Sequence, residues 1–176
     1  MNNIQITIGG KELTFGVKFE YDADLGKPWE NSDCHGVVSD WVSRDKLPGE
    51  LVLNSGRSGK RFYDFAETCK IALRDGWDCA PLNDGTESKR QQAAKAARND
   101  FEYIREWCND QWSYVGVIVT LLDEHGNETE VTDSLWGVED RDGHHETTAR
   151  EIADELAHGY GTRWGEVEQT TFAYIQ

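Results

Sequence analysis

Strict period-two alternation at the amino terminus leaves this chain little choice but to begin as a β-hairpin. Ile4, Ile6 and Ile8 alternate with polar residues, Gly9-Gly10 follows, and Leu13, Phe15, Val17, Phe19 and Tyr21 resume the alternation. Period two sends each set to one face of a strand, and paired glycines accept the positive φ angles of a two-residue turn. A second hairpin is expected where YVGVIVTLLD, a β-branched run suited to a central strand, gives way to the turn residues EHGNE and a return through Val131 to Val138.

Helix signals lie between and after these hairpins. A short strand at 50–54 and the glycine-containing SGRSGKR lead into a helix from Asp64, whose spacing to Glu67 is that of a capping box. Phe65, Ala66, Cys69 and Leu73 mark its apolar face, and Gly76-Trp77 its left-handed stop. Ser88 with Gln91 three residues on starts a longer helix with a stripe of Ala94, Ala97, Phe101, Ile104 and Cys108. HETTAREIADELAHG offers a third, with Ala149, Ile152, Ala153 and Leu156 on one side and Gly159 as its stop, and TTFAYIQ is suited to an edge strand. Residues 22–49 are dense in Gly, Pro, Asn and Asp and read as a long ordered loop packed down by Trp29 and Trp41.

This order predicts an α+β fold: a mainly antiparallel sheet built from two hairpins and covered by about three helices. With 176 residues and 19 aromatic side chains, the chain has material for one folded domain spanning 1–176 and is too rich in burial capacity to be disordered. No stretch approaches a membrane span and MNNIQITIGGKE lacks the features of a secretory signal, so a cytoplasmic protein is expected. Cys34, Cys69, Cys79 and Cys108 show no metal-ribbon spacing; Cys69 and Cys108 sit on apolar helix faces and read as small hydrophobes.

Charge is distributed unevenly. Residues 123–176 carry 14 Asp/Glu against 3 Lys/Arg, 11 of the 15 net negative charges. A field of one sign attracts basic partners and repels nucleic acid and anionic membrane. Glu139, Asp140, Asp142, Glu146, Glu151, Asp154 and Glu155 form the expected acidic surface, and Glu151 and Glu155 lie four apart on the last helix, where like charges weaken rather than support it. Carboxylates so arrayed suit mimicry of DNA phosphates toward a Lys/Arg-rich groove; the plainer reading is a solubilising surface.

Basic residues gather at Arg57, Lys60 and Arg61, then at Lys89, Arg90, Lys95 and Arg98. With Tyr103, Trp107 and Trp112 they offer an alternative, a single-stranded nucleic-acid groove with aromatic stacking, opposed by the overall charge. The alternative for the helix is a solvated face with Arg98 and Glu102 paired. Gly56, Gly59 and Lys60 fall short of a phosphate loop, because the glycine spacing is too short and Arg61 stands where a hydroxyl is needed. His144, His145, Glu146, Asp142 and His158 pose a metal site, but adjacent histidines diverge on a helix. Cys34-His35 with Asp33 and Asp40 poses a nucleophile and base with no accompanying motif. No catalytic residue, cofactor or metal is therefore assigned, and the chain reads as a non-enzyme, with a small enzyme using a His/Asp cluster as the second alternative.

The stretches YDADLGKPWENSDCHGVVSDW, RFYDFAETCKIALRDGW, DFEYIREWCNDQWSYVGVIVTLLDEHGNETE and SLWGVE resemble a group of small proteins of tailed bacteriophages and prophages, over roughly residues 21–139. The resemblance implies no activity. It implies a setting, an accessory protein in the cytoplasm of an infected bacterium. The acidic surface lies mostly beyond the resembling region, and it is that charge, not the resemblance, that suggests a basic host protein as partner, such as a restriction, CRISPR or other nucleic-acid-processing factor.

Overall fold

The structure is a computed structural model that describes residues 2–31, 35–77, 87–162 and 171–175. The fold is α+β with two antiparallel sheets. The chain divides into two compact units, Met1–Leu25 with Trp112–Gln176, and Gly26–Gln111.

The first unit contains the amino-terminal hairpin as the alternation requires. β1 (Asn2–Ile8) pairs with β2 (Lys11–Tyr21) in a register that sets Ile8 opposite Lys11, and Gly9 and Gly10 take φ of 57° and 77° in the turn. β6 (Tyr114–Leu122) and β7 (Glu128–Glu139) form the second expected hairpin, and β8 (Thr171–Ile175) pairs antiparallel with β1. The five-stranded order is β7-β6-β2-β1-β8, so the β-branched run of β6 is internal. Alternate residues of β1, β2 and β6 point to one face, where Ile6, Phe15, Val117 and Val119 are fully buried.

That face is covered by α4 (His144–Thr162). Ala149, Ala153 and Ala157 recur at four-residue intervals with no exposure, and small side chains there let the helix lie close to the sheet. Gly159 does not stop the helix, which runs to Thr162. Among the described residues nothing lies within 4 Å of a Cβ added at Gly159, and its φ is not positive, so no left-handed turn forms there.

The second unit holds α1 (Pro28–Asn31), β3 (Val38–Val42), β4 (Glu50–Gly56), β5 (Gly59–Asp64), α2 (Phe65–Asp75) and α3 (Lys89–Cys108). The sheet order is β3-β5-β4. The stretch read as a long loop therefore contains a helical turn and a strand. A register shift between Ser39 and Val42 breaks the period-two pattern that would have announced β3. SGRSGKR is also not a strand-to-helix loop. Gly56 pairs with Gly59 across a two-residue turn, making a third hairpin among the described residues.

Both helix starts follow their capping signals. Asp64 accepts from the Glu67 N–H at 2.9 Å, and Ser88 and Gln91 exchange the reciprocal bonds of a capping box. Gly76 ends α2 at φ 69°, with Trp77 N–H bonded to the Ala72 carbonyl. The buried face of α2, however, is Thr68 and Ala72, while Leu73 is 42% exposed. Thr68 belongs inside because its hydroxyl donates to the Asp64 carbonyl at 2.7 Å and accepts from the Val37 N–H at 3.1 Å. On α3 the buried stripe is Ala93, Ala96, Ala97, Phe101, Ile104 and Cys108, as spaced, with Ala94 at its margin.

Candidate functional site

The charge asymmetry falls in the first unit, most of it within residues 123–176. The first unit carries 18 Asp/Glu against 5 Lys/Arg, and the second 15 against 13. Thirteen of the fifteen net negative charges thus belong to the first unit, and most of the chain's cations to the second.

Within the acidic set the side chains divide by role. Asp140 is structural: its carboxylate accepts from the Ser113 N–H at 2.6 Å and the Ser113 hydroxyl at 3.0 Å, while its own N–H donates to the Ser113 carbonyl. It ties the end of β7 to the start of β6. Glu139 is half-buried at the end of β7. Asp142 is exposed at φ 51°, 3.3 Å from Arg141, and Glu146 lies in the first turn of α4, where a carboxylate suits the helix dipole. Asp154 is half-buried, and Glu151 and Glu155 are exposed with no ion pair among the described residues. The fully exposed carboxylates are therefore Asp142, Glu151 and Glu155, with Glu146 half-buried on the first turn of α4, narrower than the seven residues expected.

The His and Asp residues weighed as metal ligands lie apart, and no group of three or more His, Cys, Asp or Glu suited to a metal occurs among the described residues. His144 is exposed; His145 packs edge-on against Phe19 with centroids 4.7 Å apart; the His158 imidazole bonds the Asp154 carbonyl. Adjacent residues on a helix diverge by about 100°, which separates the first two.

The basic set is dismantled in part. Arg61 points toward α3. Its Nε donates to Asp40 at 2.5 Å, and its guanidinium lies 4.3 Å from the Trp41 ring and 5.7 and 5.8 Å from those of Trp29 and Trp107. Lys27 shares Asp40 at 2.7 Å. Burial pushes the Asp40 carboxyl up, but hydrogen bonds from Lys27 and Arg61 outweigh it and hold the group below its usual range. Arg61 is thus the centre of a packed cation–π cluster. Arg98 lies over Phe65 and Phe101 at 4.6 and 5.6 Å, and Glu102 pairs with Arg105 instead of Arg98. Lys89 and Arg90 are exposed on the first turn of α3.

The stacking groove is likewise not formed. Trp107 packs edge-on against Trp29 and Tyr103 stacks on His35, both in the second unit, while Trp112 is buried beside Tyr114 in the first. What the basic residues do form is a cleft of about 390 Å³ at the turn end of the three-stranded sheet, lined by Arg57 and Lys60 and by a residue the sequence did not single out, Arg44.

Asp33 and Cys34 lie outside the described residues, as does Cys79. His35 does not pair with Asp40. Its Nδ1 donates to Asp100 Oδ1 at 2.6 Å, while Asp100 Oδ2 accepts from the Gly36 N–H at 2.8 Å and the Tyr63 hydroxyl at 2.6 Å. Burial, then the Asp100 charge and its hydrogen bond, drive the Tyr63 hydroxyl far above its ordinary value. Every oxygen of Asp100 is occupied by protein donors, the pattern of a structural latch rather than of a base awaiting substrate. Cys108, buried in the same unit, has its thiol pushed up to about 11 by burial, against the opposing pull of Arg61, so it stays an unreactive thiol as its helix position suggested.

No helix among the described residues is long and apolar enough to cross a membrane. Comparison with family models, curated proteins and solved structures finds no match to this chain.

Proposed function

We propose that this protein works as a binding protein, engaging a basic partner through the acidic unit formed by the five-stranded sheet and α4. The observation that supports this is the segregation of charge: 18 acidic against 5 basic residues in one unit, with Glu151 and Glu155 exposed and unpaired among the described residues. A uniformly soluble protein has no need to concentrate its charge in one unit, whereas steering a cationic partner benefits from it.

The resemblance to proteins of tailed bacteriophages and prophages supplies the setting. In this reading the partner is a Lys/Arg-rich nucleic-acid-processing or defence protein in the cytoplasm of an infected bacterium, and the carboxylates stand in for DNA phosphates. The protein is not an enzyme in this role.

Affinity capture from nuclease-treated bacterial lysate tests the reading, with a variant carrying Asp142→Lys, Glu146→Lys, Glu151→Lys and Glu155→Lys beside the native protein. A basic DNA-binding protein enriched by the native chain, released by rising salt and lost with the variant is the expected result. Equal capture by both proteins, or release insensitive to salt, overturns it. Asp140 is left unchanged because it holds β6 to β7.

A further inference from the structure

The geometry points to a phosphate-binding site in the cleft at the turn end of the three-stranded sheet, independent of the acidic unit. Lys60 on the middle strand forms its floor, and its Cα partners Val42 on β3 and Ser55 on β4 both line the cleft. The loop Ser43-Arg44-Asp45 makes one wall and the turn residues Gly56 and Arg57 the other. Neighbouring residues of a strand face opposite ways, so Arg61 leaves for its tryptophans while Lys60 stays on the cleft side.

The shape depends on backbone approach that a side chain would prevent. A Cβ at Gly59, whose φ is 133°, would lie 2.5 Å from the Val42 carbonyl oxygen. A Cβ at Gly56 would lie 2.9 Å from the Trp41 ring. Two glycines thus draw the end of β3 against the hairpin turn and set the back of the cleft.

Its charges are suited to an oligoanion. Arg44 is neutralised by a bidentate pair with Glu50, at 2.7 and 2.6 Å, and is thereby fixed in orientation. Lys60 and Arg57 form no ion pair among the described residues, although the chain carries net charge −15. Asp45 is the single carboxylate among the described residues of the lining. Ser43 and Ser55 add hydroxyl donors. A volume of about 390 Å³ accommodates one or two phosphoryl groups, being at the low end of the roughly 300–1,000 Å³ of small-molecule sites. No aromatic ring lines the cleft among the described residues, so recognition rests on the phosphate and not on a stacked base.

The test is calorimetric titration with inorganic pyrophosphate at low salt, read together with amide chemical-shift mapping. Saturable binding is expected, with shifts at Ser43, Ser55, Gly59 and Lys60. Lys60→Gln and Arg57→Gln should each weaken it about tenfold or more, Lys60→Arg should retain it, and Lys89→Gln with Arg90→Gln should leave it unchanged. Coincident thermal melts of the variants exclude unfolding as the cause. Competition identifies the source of the phosphate: displacement by a mononucleotide or sugar phosphate points to a small ligand, and displacement by single-stranded oligonucleotide alone to a nucleic-acid backbone. Absence of saturable binding, or a Lys60→Gln protein that binds as the native one does, overturns the assignment.

Discussion

Asp100 on α3 grips His35, 65 positions earlier in the chain, through a 2.6 Å bond from the imidazole Nδ1. The same carboxylate receives the Gly36 N–H and the Tyr63 hydroxyl, and its side chain is only 9% exposed. A carboxylate so enclosed persists because its lone pairs are met by donors. Asp100→Asn replaces one acceptor by a donor facing donors and should cost about 3 kcal/mol; Tyr63→Phe removes one partner and should cost roughly 1–2 kcal/mol. Urea unfolding should show lower midpoints with little change in slope, and the double variant should cost less than the sum of the two.

Gly36 has no room for a side chain beside this latch. A Cβ there would lie 2.5 Å from both the Thr68 hydroxyl and the Tyr63 hydroxyl. Gly36→Ala should therefore destabilise by about 2 kcal/mol or more, because those oxygens are fixed by their own hydrogen bonds. Gly159→Ala is the internal control. It lies in α4 with open space around the added atom, and should raise the thermal midpoint, by roughly 0.5–1 kcal/mol of stability. Thermal melts of the two variants should move in opposite directions.

These two sites show where local pattern carries information and where it does not. Hairpins, caps and the long-helix stripe depend on residues a few positions apart, so Gly9-Gly10, Asp64 with Glu67, and Ser88 with Gln91 announce them. β3 is hidden because a bulge at Ser39–Val42 destroys alternation, and Trp41 takes a positive φ of 34° within it. The buried side of α2 is hidden because Thr68 reads as polar until its two hydrogen bonds are known. The join near residue 25 falls inside the Gly/Pro/Asn/Asp-rich stretch that reads as one loop, and the join near 111 falls between the end of α3 and the start of β6. For the candidate sites, the acidic residues are legible by charge alone, but the separation of Lys60 from Arg61 follows from strand geometry that the loop reading missed. Arg44 had no signal beyond its charge, since its cleft is assembled by pairing across β3, β5 and β4.

The Arg44–Glu50 pair gives stability a definite pH dependence. Glu50 is 5% exposed, and the Arg44 hydrogen bonds, joined by the Leu47 N–H at 2.8 Å, hold its carboxyl below the ordinary value of 4.5. A folded-state pKa below the unfolded one means the contribution is fully present above about pH 4.5. It is lost as pH falls through the lower folded value, where the native carboxyl finally takes its proton. Glu50→Gln should flatten the acid limb of a plot of thermal midpoint against pH while lowering the neutral plateau. An acid limb as steep as that of the native protein would show that other carboxylates carry the dependence.

On α4, stability and the proposed binding make opposite demands. Glu151 and Glu155 face solvent one turn apart, a like-charge pair that costs about 0.2–0.5 kcal/mol, and Glu155 lies toward the helix end that favours cations. Glu155→Lys converts the repulsion into a Glu-to-Lys i,i+4 pair in its favourable order, so the protein should unfold at slightly higher temperature or urea concentration. If the acidic unit engages a cationic partner, the same substitution should weaken capture and reduce its salt dependence, since one attractive charge becomes repulsive. A gain in stability with unchanged capture would assign these carboxylates to solubility alone. A gain accompanied by weakened capture would show that a less stable helix is retained for what it binds, which is the outcome the exposed carboxylates, unpaired among the described residues, lead one to expect.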